Sequence, residues 1–213
     1  TPLYSSAASD VYKRQGKQYR LPDLFMVLAT QNPIEQEGTY NLPEAQLDRF
    51  LMYIKIDQPD ADTERKILKL VRTEQRETKE QDPAWQEFSK TVGKIAVEDI
   101  LTARREVLSM HVSESLEEYL VQLIVATRKP EKYNASLRDK ILFGASPRAT
   151  IALDKCAKIN AWLDGRDFVT PEDIHAVIYD VLRHRIILSF EAQADGLTTD
   201  DIIASLLKTV PLP

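Results

Sequence analysis

Two short apolar stretches in the first quarter of the chain predict β-strands. Residues 24–30 are almost continuously apolar, which is typical of a parallel strand covered on both faces. Residues 50–56 place alternate apolar side chains on one face, which also indicates a strand. The first stretch ends at Gln31 and Asn32. Because parallel α/β sheets bind ligands at the ends of their strands, the pattern favours a phosphate-handling site.

Beyond residue 60 the apolar spacing is almost entirely helical. Three segments begin with strong helix-start signals, at Ser113, Ser146-Pro147 and Thr170-Pro171. The predicted fold class is therefore an α/β part with a parallel sheet, followed by an all-α domain. The spacing and the start signals predict helices over residues 62–78, 98–110, 113–128, 146–164, 170–183 and 198–208, with a short strand at 186–188.

The pattern divides the chain into three parts. Residues 1–15 have no hydrophobic period, and we expect them to be an artefact or a disordered segment. Residues 16–58 are the α/β part, and residues 59–213 are the helical domain. The helix that starts at Ser146 is predicted to bury one stripe of side chains: Ala149, Ala152, Leu153, Cys156, Ile159 and Leu163.

Composition narrows the class of protein without naming a function. With 43% hydrophobic and 29% charged residues, the chain suits a packed globular fold. A net charge of −5 argues against a nucleic-acid-binding surface. Cys156 is the sole cysteine, so no internal disulfide can form, and a cytoplasmic location is expected. No apolar run approaches the length of a membrane span.

Asn32 is the first candidate for chemistry. An amide at the end of a strand offers a donor and an acceptor at a fixed position, which suits holding an attacking water against a terminal phosphate. Asn32-Pro33 is also a common turn signal, and the local sequence by itself favours a turn.

Two arginines are candidates for binding phosphate. Arg49 follows a short charged helix and could act on a neighbouring subunit as an arginine finger, although a surface ion pair with Asp48 or Glu44 is the commoner use of such a side chain. Arg148 lies in the first turn of a helix, where free N–H groups and the helix dipole favour anions. An exposed arginine that reaches a nearby carboxylate explains Arg148 equally well.

Other notable residues favour structural roles. Arg183-His184-Arg185 closes a helix, where positive charge suits the C-terminal dipole, and a role at a subunit interface is the weaker alternative. The three histidines of the chain have no metal-ligand spacing, so no metal site is predicted. Cys156 is expected to be an inert core residue.

Five segments together resemble the sensor and lid part of the MoxR family of AAA+ ATPases, over roughly residue 16 to the end. Residues 29–40 (ATQNPIEQEGTY) resemble the family's sensor 1 segment, and residues 42–50 (LPEAQLDRF) resemble its arginine-finger segment. Residues 144–149 (GASPRA) resemble the sensor 2 motif at the start of a lid helix. Residues 165–173 (GRDFVTPED) and 181–185 (VLRHR) are similar to later lid segments.

The resemblance implies roles for the three candidate residues. It makes Asn32 the sensor 1 residue, Arg49 the arginine finger and Arg148 the sensor 2 residue. It also implies ATP and Mg²⁺ as cofactors, with ATP held between the subunits of a homo-oligomeric ring, expected to be a hexamer. A chaperone-like role in remodelling or maturing client proteins follows from the family, and von Willebrand factor A domain proteins are the implied partners.

The printed sequence contains neither a Gly-rich loop ending in Gly-Lys-Ser/Thr nor an apolar strand ending in Asp-Glu. Because such a loop supplies most of the contacts to ATP phosphates, we expect this chain alone neither to bind ATP tightly nor to hydrolyse it. Two alternatives stay open. One is another AAA+ motor, such as a magnesium-chelatase-like or helicase-like subunit, and the other is a non-catalytic helical interaction module formed by residues 60–213.

Overall fold

A computed structural model describes residues 11–14, 17–31, 42–74 and 95–213. These residues fall into two compact units. One unit combines the described residues of Thr1–Tyr53 with Glu106–Pro213, and the other takes in those of Ile54–Arg105. The domain division at residues 58 and 59 stays a prediction.

Most of the described elements are helices. Two pairs of short strands accompany them, and single turns of 3₁₀ helix occur at Pro130–Lys132 and Ala135–Leu137. In chain order the elements are β1 (Val11–Arg14), β2 (Lys17–Arg20), α1 (Glu44–Leu47), α2 (Ala61–Glu74), α3 (Val97–Leu108), α4 (Glu114–Arg128), β3 (Ile141–Phe143), α5 (Pro147–Leu163), α6 (Pro171–Leu182), β4 (Ile187–Leu188), α7 (Phe190–Ala194) and α8 (Thr199–Thr209).

Four of the helices that follow residue 113, namely α4, α5, α6 and α8, begin where the sequence predicts, whereas the short helix α7 was not predicted. The Ser113 hydroxyl accepts the backbone N–H of Leu116 at 3.3 Å and caps α4. Thr170 and Asp173 form a capping box at the start of α6, in which the Asp173 carboxylate accepts the backbone N–H of Thr170 at 2.8 Å. Such caps satisfy the N–H groups that a helix start leaves without helical partners, so they fix where each helix begins. The predicted helical lid-like region is therefore confirmed.

One apolar core holds helices α4, α5, α6 and α8 together. Each large aliphatic side chain buried there contributes about 1.5–3 kcal/mol relative to leaving it exposed. The core explains why these helices form although most are short. Its largest fully buried aliphatic side chains are Leu123, Ile124, Leu153, Ile174, Ile178, Val181, Leu182, Ile202, Ile203 and Leu206.

Residues 24–30 and 50–56 form no strand, contrary to the prediction. A strand needs a hydrogen-bonded neighbour, and the strand pairs among the described residues, β1 with β2 and β3 with β4, are both antiparallel and lie elsewhere. Met26 and Leu28 are consequently exposed, at 81% and 78%. No parallel sheet is therefore observed in the part of the chain that the structure describes. The short strand predicted at residues 186–188 is confirmed as β4, but its partner β3 was not predicted.

The apolar stripe of α5 differs from the prediction in its second half. Ile159 and Leu163 are exposed at 40% and 70%, whereas Ala157 and Ala161 are buried. Positions 153, 157 and 161 follow each other four residues apart and therefore share one helix face, from which residue 159 points away. Small alanines on this face allow α5 to lie close to α6.

Helix α2 belongs to the other compact unit and keeps its apolar stripe exposed. The predicted helix over 62–78 is observed as Ala61–Glu74, since residues 75–94 lie outside the described part of the chain. The exposed fractions of its four apolar side chains lie between 41% and 50%, at Ile67, Leu68, Leu70 and Val71. Across the described ranges, no helix is long and apolar enough to cross a membrane.

The segment between β3 and α5 packs closely against the end of α4 and is hydrogen-bonded to it. Gly144 lies so close to α4 that a Cβ atom there would come within 2.4 Å of the Thr127 carbonyl oxygen. The next residue, Ala145, donates its N–H to Thr127 Oγ1 at 2.9 Å, and its carbonyl accepts from Arg128 Nε at 2.6 Å. These contacts fix the position at which α5 begins.

Candidate functional site

The N-terminus of α5 is the first element of the candidate site. Ser146 precedes the helix, and its hydroxyl accepts the backbone N–H of Arg148 at 3.2 Å. Pro147 occupies the first helical position, where the missing N–H costs nothing. The side chain of Arg148 is 61% exposed. A solvent-facing guanidinium therefore lies beside a helix start, a place that favours anions.

Asp48 connects this helix start to the segment that carries Arg49. Its carboxylate accepts the Ser146 hydroxyl at 2.8 and 2.9 Å and Arg148 Nη1 at 3.0 Å. Its Oδ1 also lies 3.3 Å from Nε of Arg185. The Asp48 side chain is only 17% exposed, so one largely buried carboxylate joins three partners from two later parts of the chain.

The surroundings of Asp48 favour its charged form. Burial by itself would raise its pKa, but the Ser146 hydroxyl and the Arg148 guanidinium bind the carboxylate, and the charges of Arg185 and Arg148 add to this. The net effect holds the pKa of Asp48 below its ordinary value. Asp48 is therefore negative at neutral pH, and it compensates the charge of the buried Arg185.

Arg185 is buried and binds backbone carbonyls on both sides of Arg49. Its Nη2 donates to the carbonyls of Asp48, at 3.2 Å, and of Phe50. Its Nη1 donates to the Leu51 carbonyl, at 3.2 Å, and to a carbonyl in the last turn of the preceding helix α6. Arg185 as a whole is only 6% exposed. Burial lowers the pKa of its guanidinium, although the charge of Asp48 opposes this shift.

Two neighbours of Arg185 extend the same set of contacts. Arg183 donates from Nη1 to the carbonyl of Tyr53 at 3.2 Å, and Tyr53 in turn donates its N–H to the Asp180 carbonyl at 2.8 Å. His184 Nε2 lies 3.3 Å from the Phe50 carbonyl, which can only accept, so this nitrogen carries the proton. Burial and the charge of Arg185 lower the pKa of His184 to about 4, so the ring is neutral at pH 7.

The structure brings together two of the three predicted site residues. Arg49 is exposed and directly follows Asp48, while Arg148 is bound to Asp48 itself. The ion pair with a carboxylate, which the sequence analysis gave as the alternative reading of Arg148, is thus present. Asn32 lies outside the described residues. Cys156 is buried in the core, where burial raises the pKa of its thiol to about 11, as expected for an inert side chain.

Sequence reasoning missed Asp48 and the role of the triplet Arg183-His184-Arg185. We interpreted the triplet as charges that suit a helix end, whereas its side chains bind the carbonyls of residues 48–53. The available signal was its setting: three polar residues stand between the apolar pairs Val181-Leu182 and Ile186-Ile187. Cations enclosed by core residues need partners, and carbonyls supply them.

Comparison with known proteins supports an AAA-type fold with a helical lid. Residues 6–52 match the family model of the ATPase family associated with various cellular activities (AAA), and residues 136–206 match that of the AAA lid domain. A crystal structure of a candidate ATPase from Cytophaga hutchinsonii superposes with a TM-score of 0.83 and 41% identity, covering 96% of this chain and 59% of that one.

Named relatives narrow the class further. Chaperone MoxR1 of Mycobacterium tuberculosis is 37% identical, over 93% of this chain and 49% of its own length. Protein MoxR of Methylorubrum extorquens is 34% identical, over 92% and 57% respectively. The magnesium-chelatase subunit ChlI-1 of Arabidopsis thaliana is more distant, at 29% identity over 86% of this chain and 39% of its own length.

The lid helices and both family models define the class as an AAA-type ATPase with its helical lid. Within that class, the chain belongs to the MoxR family of AAA+ ATPases. The chain spans about half the length of the curated relatives it matches.

Proposed function

We propose that this chain supplies the sensor and lid part of a MoxR-type subunit that hydrolyses ATP and acts as a chaperone-like remodelling or maturation factor. One observation carries the proposal. The Asp48 carboxylate binds Ser146 and Arg148, and Arg49 is the next residue in the chain, which supports assigning Arg49 and Arg148 to one site. Two arginines at one site, one beside a helix N-terminus, suit a polyphosphate.

Arg148 and Arg49 have different tasks in this proposal. Arg148 binds a phosphate of ATP, because its exposed guanidinium lies at the N-terminal end of α5, where the helix dipole favours anions. Arg49 reaches toward the nucleotide of the neighbouring subunit, where a guanidinium neutralises the charge that develops on the transferred phosphoryl group. Asn32 holds the attacking water, a role that rests on the family resemblance alone.

The described residues suit the phosphates better than the metal ion. The exposed Arg148 and the start of α5 would bind phosphate oxygens, which are anions. No group of three or more potential metal-binding side chains occurs within the described ranges. When bound, ATP and Mg²⁺ supply the phosphoryl group and the counter-charge for its transfer.

A lid that senses phosphate can transmit movement to a client. Arg148 starts α5, and α5 packs on α6 through the common core. If Arg148 exchanges Asp48 for a phosphate, α5 and the helices packed on it move as one body, which is hinge motion between domains. We propose that a ring of such subunits, a hexamer, works in the cytoplasm on protein partners that include von Willebrand factor A domain proteins.

The test is ATP turnover by the natural protein that contains this sequence. Arg49→Ala and Arg148→Ala should each lower kcat by about 10³-fold or more, the range known for arginine fingers. Arg138→Ala, which removes another exposed arginine, is the matched control and should leave turnover unchanged. Adding Arg49→Ala subunits to wild-type rings should inhibit the wild-type sites, because the finger acts on a neighbour.

Two further measurements separate this proposal from its alternatives. Nucleotide titration of the 213-residue chain alone should show no binding at micromolar concentrations. Full turnover by both arginine variants would instead favour a non-catalytic helical interaction module. The magnesium-chelatase-like alternative predicts that the natural protein supports ATP-dependent magnesium chelation.

A further inference from the structure

We propose that Arg185 is a positioning residue for Arg49, and that Arg183 and His184 assist it. The inference rests on the proposed function, since it needs Arg49 to act on a nucleotide. The exposed Arg49 side chain must project toward a phosphate on another subunit, although the segment that carries it has little regular structure of its own. We assign to Arg185 the task of fixing the direction of that side chain.

The geometry of Arg185 is that of a clamp around one residue. Its guanidinium binds the carbonyl oxygens of Asp48 and Phe50, the residues immediately before and after Arg49. The same group also binds the carbonyl of Leu51. The Asp48 carbonyl lies in the peptide plane directly before Arg49, and the Phe50 carbonyl lies in the second peptide plane after it. One rigid planar group thus restrains the backbone on both sides of Arg49, and with it the direction in which the Arg49 side chain leaves the backbone.

The segment that is held begins as a turn, in which Arg49 donates its N–H to the Gln46 carbonyl at 3.1 Å and Phe50 donates its N–H to the Leu47 carbonyl at 3.0 Å. Helix α1 ends at Leu47, and no strand follows in residues 50–56. Hydrogen bonds from the end of α6 add to this turn and extend beyond it: His184 binds the Phe50 carbonyl, and Arg183 binds the Tyr53 carbonyl. The three consecutive side chains therefore hold residues 48–53 over their whole length.

The clamp is itself rigid. Arg185 is buried at the end of α6, and its Nε faces the Asp48 carboxylate at 3.3 Å. Arg183 is held from the other side by Asp200, at 2.8 Å from its Nε, and by Asp180, at 2.9 Å from its Nη1. Positioning groups act well only when their own rotamers are locked by such neighbours.

Only an arginine can make this set of bonds. A lysine at position 185 would keep the charge beside Asp48, but its three rotatable N–H groups cannot span carbonyls on both sides of Arg49 in the fixed fork of a guanidinium. Arg185→Lys therefore separates positioning from charge compensation. Small misplacements of a catalytic group are known to cost about 10²-fold in rate.

The experiment is a double-mutant cycle in the natural protein that contains this sequence. Arg185→Lys should lower kcat at least about tenfold, with an unchanged KM for ATP and an unchanged ring. In an Arg49→Ala background, the same substitution should change kcat by less than about twofold, because the clamp acts only through Arg49. Arg166→Lys is the control: it alters an arginine bound to Asp173, remote from the clamp, and should leave kcat unchanged.

Each result decides the inference. Equal losses of kcat in both backgrounds would show a merely structural role for Arg185 and overturn it, as would full activity of Arg185→Lys. If Arg49→Ala alone leaves turnover unchanged, the proposed function fails, and the positioning role fails with it. Should Arg185→Lys not fold, Arg183→Lys, which disturbs the contact with Tyr53, replaces it in the same cycle under the same criterion.

Discussion

Asp48 and Arg148 form an ion pair, Oδ2 to Nη1 3.0 Å, although 100 residues of chain separate them. The two side chains differ in exposure, with Asp48 at 17% and Arg148 at 61%. Asp48 also lies 3.3 Å from the buried Arg185. The carboxylate of Asp48 therefore links the buried Arg185 guanidinium to the exposed guanidinium of Arg148.

Substitutions at the two ends of this pair should have unequal effects on stability. Asp48→Asn leaves the buried Arg185 without its counter-charge and should lower the free energy of unfolding by about 1–3 kcal/mol. Arg148→Ala breaks only an exposed contact and should cost less than about 1 kcal/mol. Urea unfolding of the 213-residue chain measures both. Equal losses would show that Asp48 serves Arg148 and not Arg185.

Local start signals made much of the helical part predictable. Ser146-Pro147 and Thr170-Pro171 begin α5 and α6 as expected, because a cap depends on only a few neighbouring residues. Gly165 follows the end of α5 with a φ of 74°, as a stop signal should. The buried face of α4 also follows regular helical spacing, with Leu116, Leu120, Leu123 and Ile124 in the core.

The contacts between distant segments were not predictable in the same way. The apolar run at residues 24–30 reads as a strand, but a strand depends on neighbours that local sequence does not specify. Arg185 reads as a surface charge at a helix end until its carbonyl partners, more than 130 residues earlier, are known. Asp48 drew attention only as a partner for Arg49, because nothing local indicates that it binds Ser146 and Arg148.

The two capping-box aspartates allow a matched comparison of buried and exposed caps. Asp173 is 1% exposed, and its carboxylate accepts hydrogen bonds from Arg166 Nη1 at 2.7 Å and from the Asn160 side chain at 2.8 Å. Burial by itself would raise the pKa of Asp173, but these hydrogen bonds hold it far below the ordinary value. Asp201 makes the same capping box with Thr198 at the exposed start of α8. Asp173→Asn should therefore lower the free energy of unfolding by about 3–5 kcal/mol.

Asp201→Asn is the control and should lower the free energy of unfolding clearly less, since water can solvate the exposed groups that lose their charged partner. The extra stability from Asp173 is present above the ordinary aspartate pKa near 4 and is lost as the pH falls through the lowered folded pKa. Chemical unfolding at pH 7 and at pH 3 checks both statements. A similar loss for the two variants at pH 7 would mean that capping, and not the buried ion pair, dominates.

Gly144 and Gly165 should both resist substitution, but for different reasons. A Cβ at residue 144 would lie 2.4 Å from the Thr127 carbonyl, so Gly144→Ala forces backbone atoms apart and should cost about 3 kcal/mol or more. Gly165 has open space around it but a φ of 74°, so Gly165→Ala should cost only about 1 kcal/mol of backbone strain. Thermal unfolding should show a several-fold larger fall in Tm for Gly144→Ala, and equal shifts would contradict the contact with Thr127.

His184 should make the stability of the chain depend on pH in a defined window. Burial and the charge of Arg185 lower its pKa to about 4 in the folded state, from an ordinary value of 6.5. Below pH 6.5 the unfolded chain therefore takes up a proton that the folded chain does not, and the free energy of unfolding falls until about pH 4. A pKa difference of this size corresponds to a loss of up to about 3 kcal/mol.

His184→Gln isolates this contribution, because an amide can still donate to the Phe50 carbonyl but does not titrate in this range. Unfolding of both proteins at several pH values should show wild type losing stability relative to the variant between pH 6.5 and 4. The same substitution at the exposed His111 controls for the general effect of removing a histidine. A constant difference between wild type and His184→Gln across this range would show that the ring is not held neutral against Arg185.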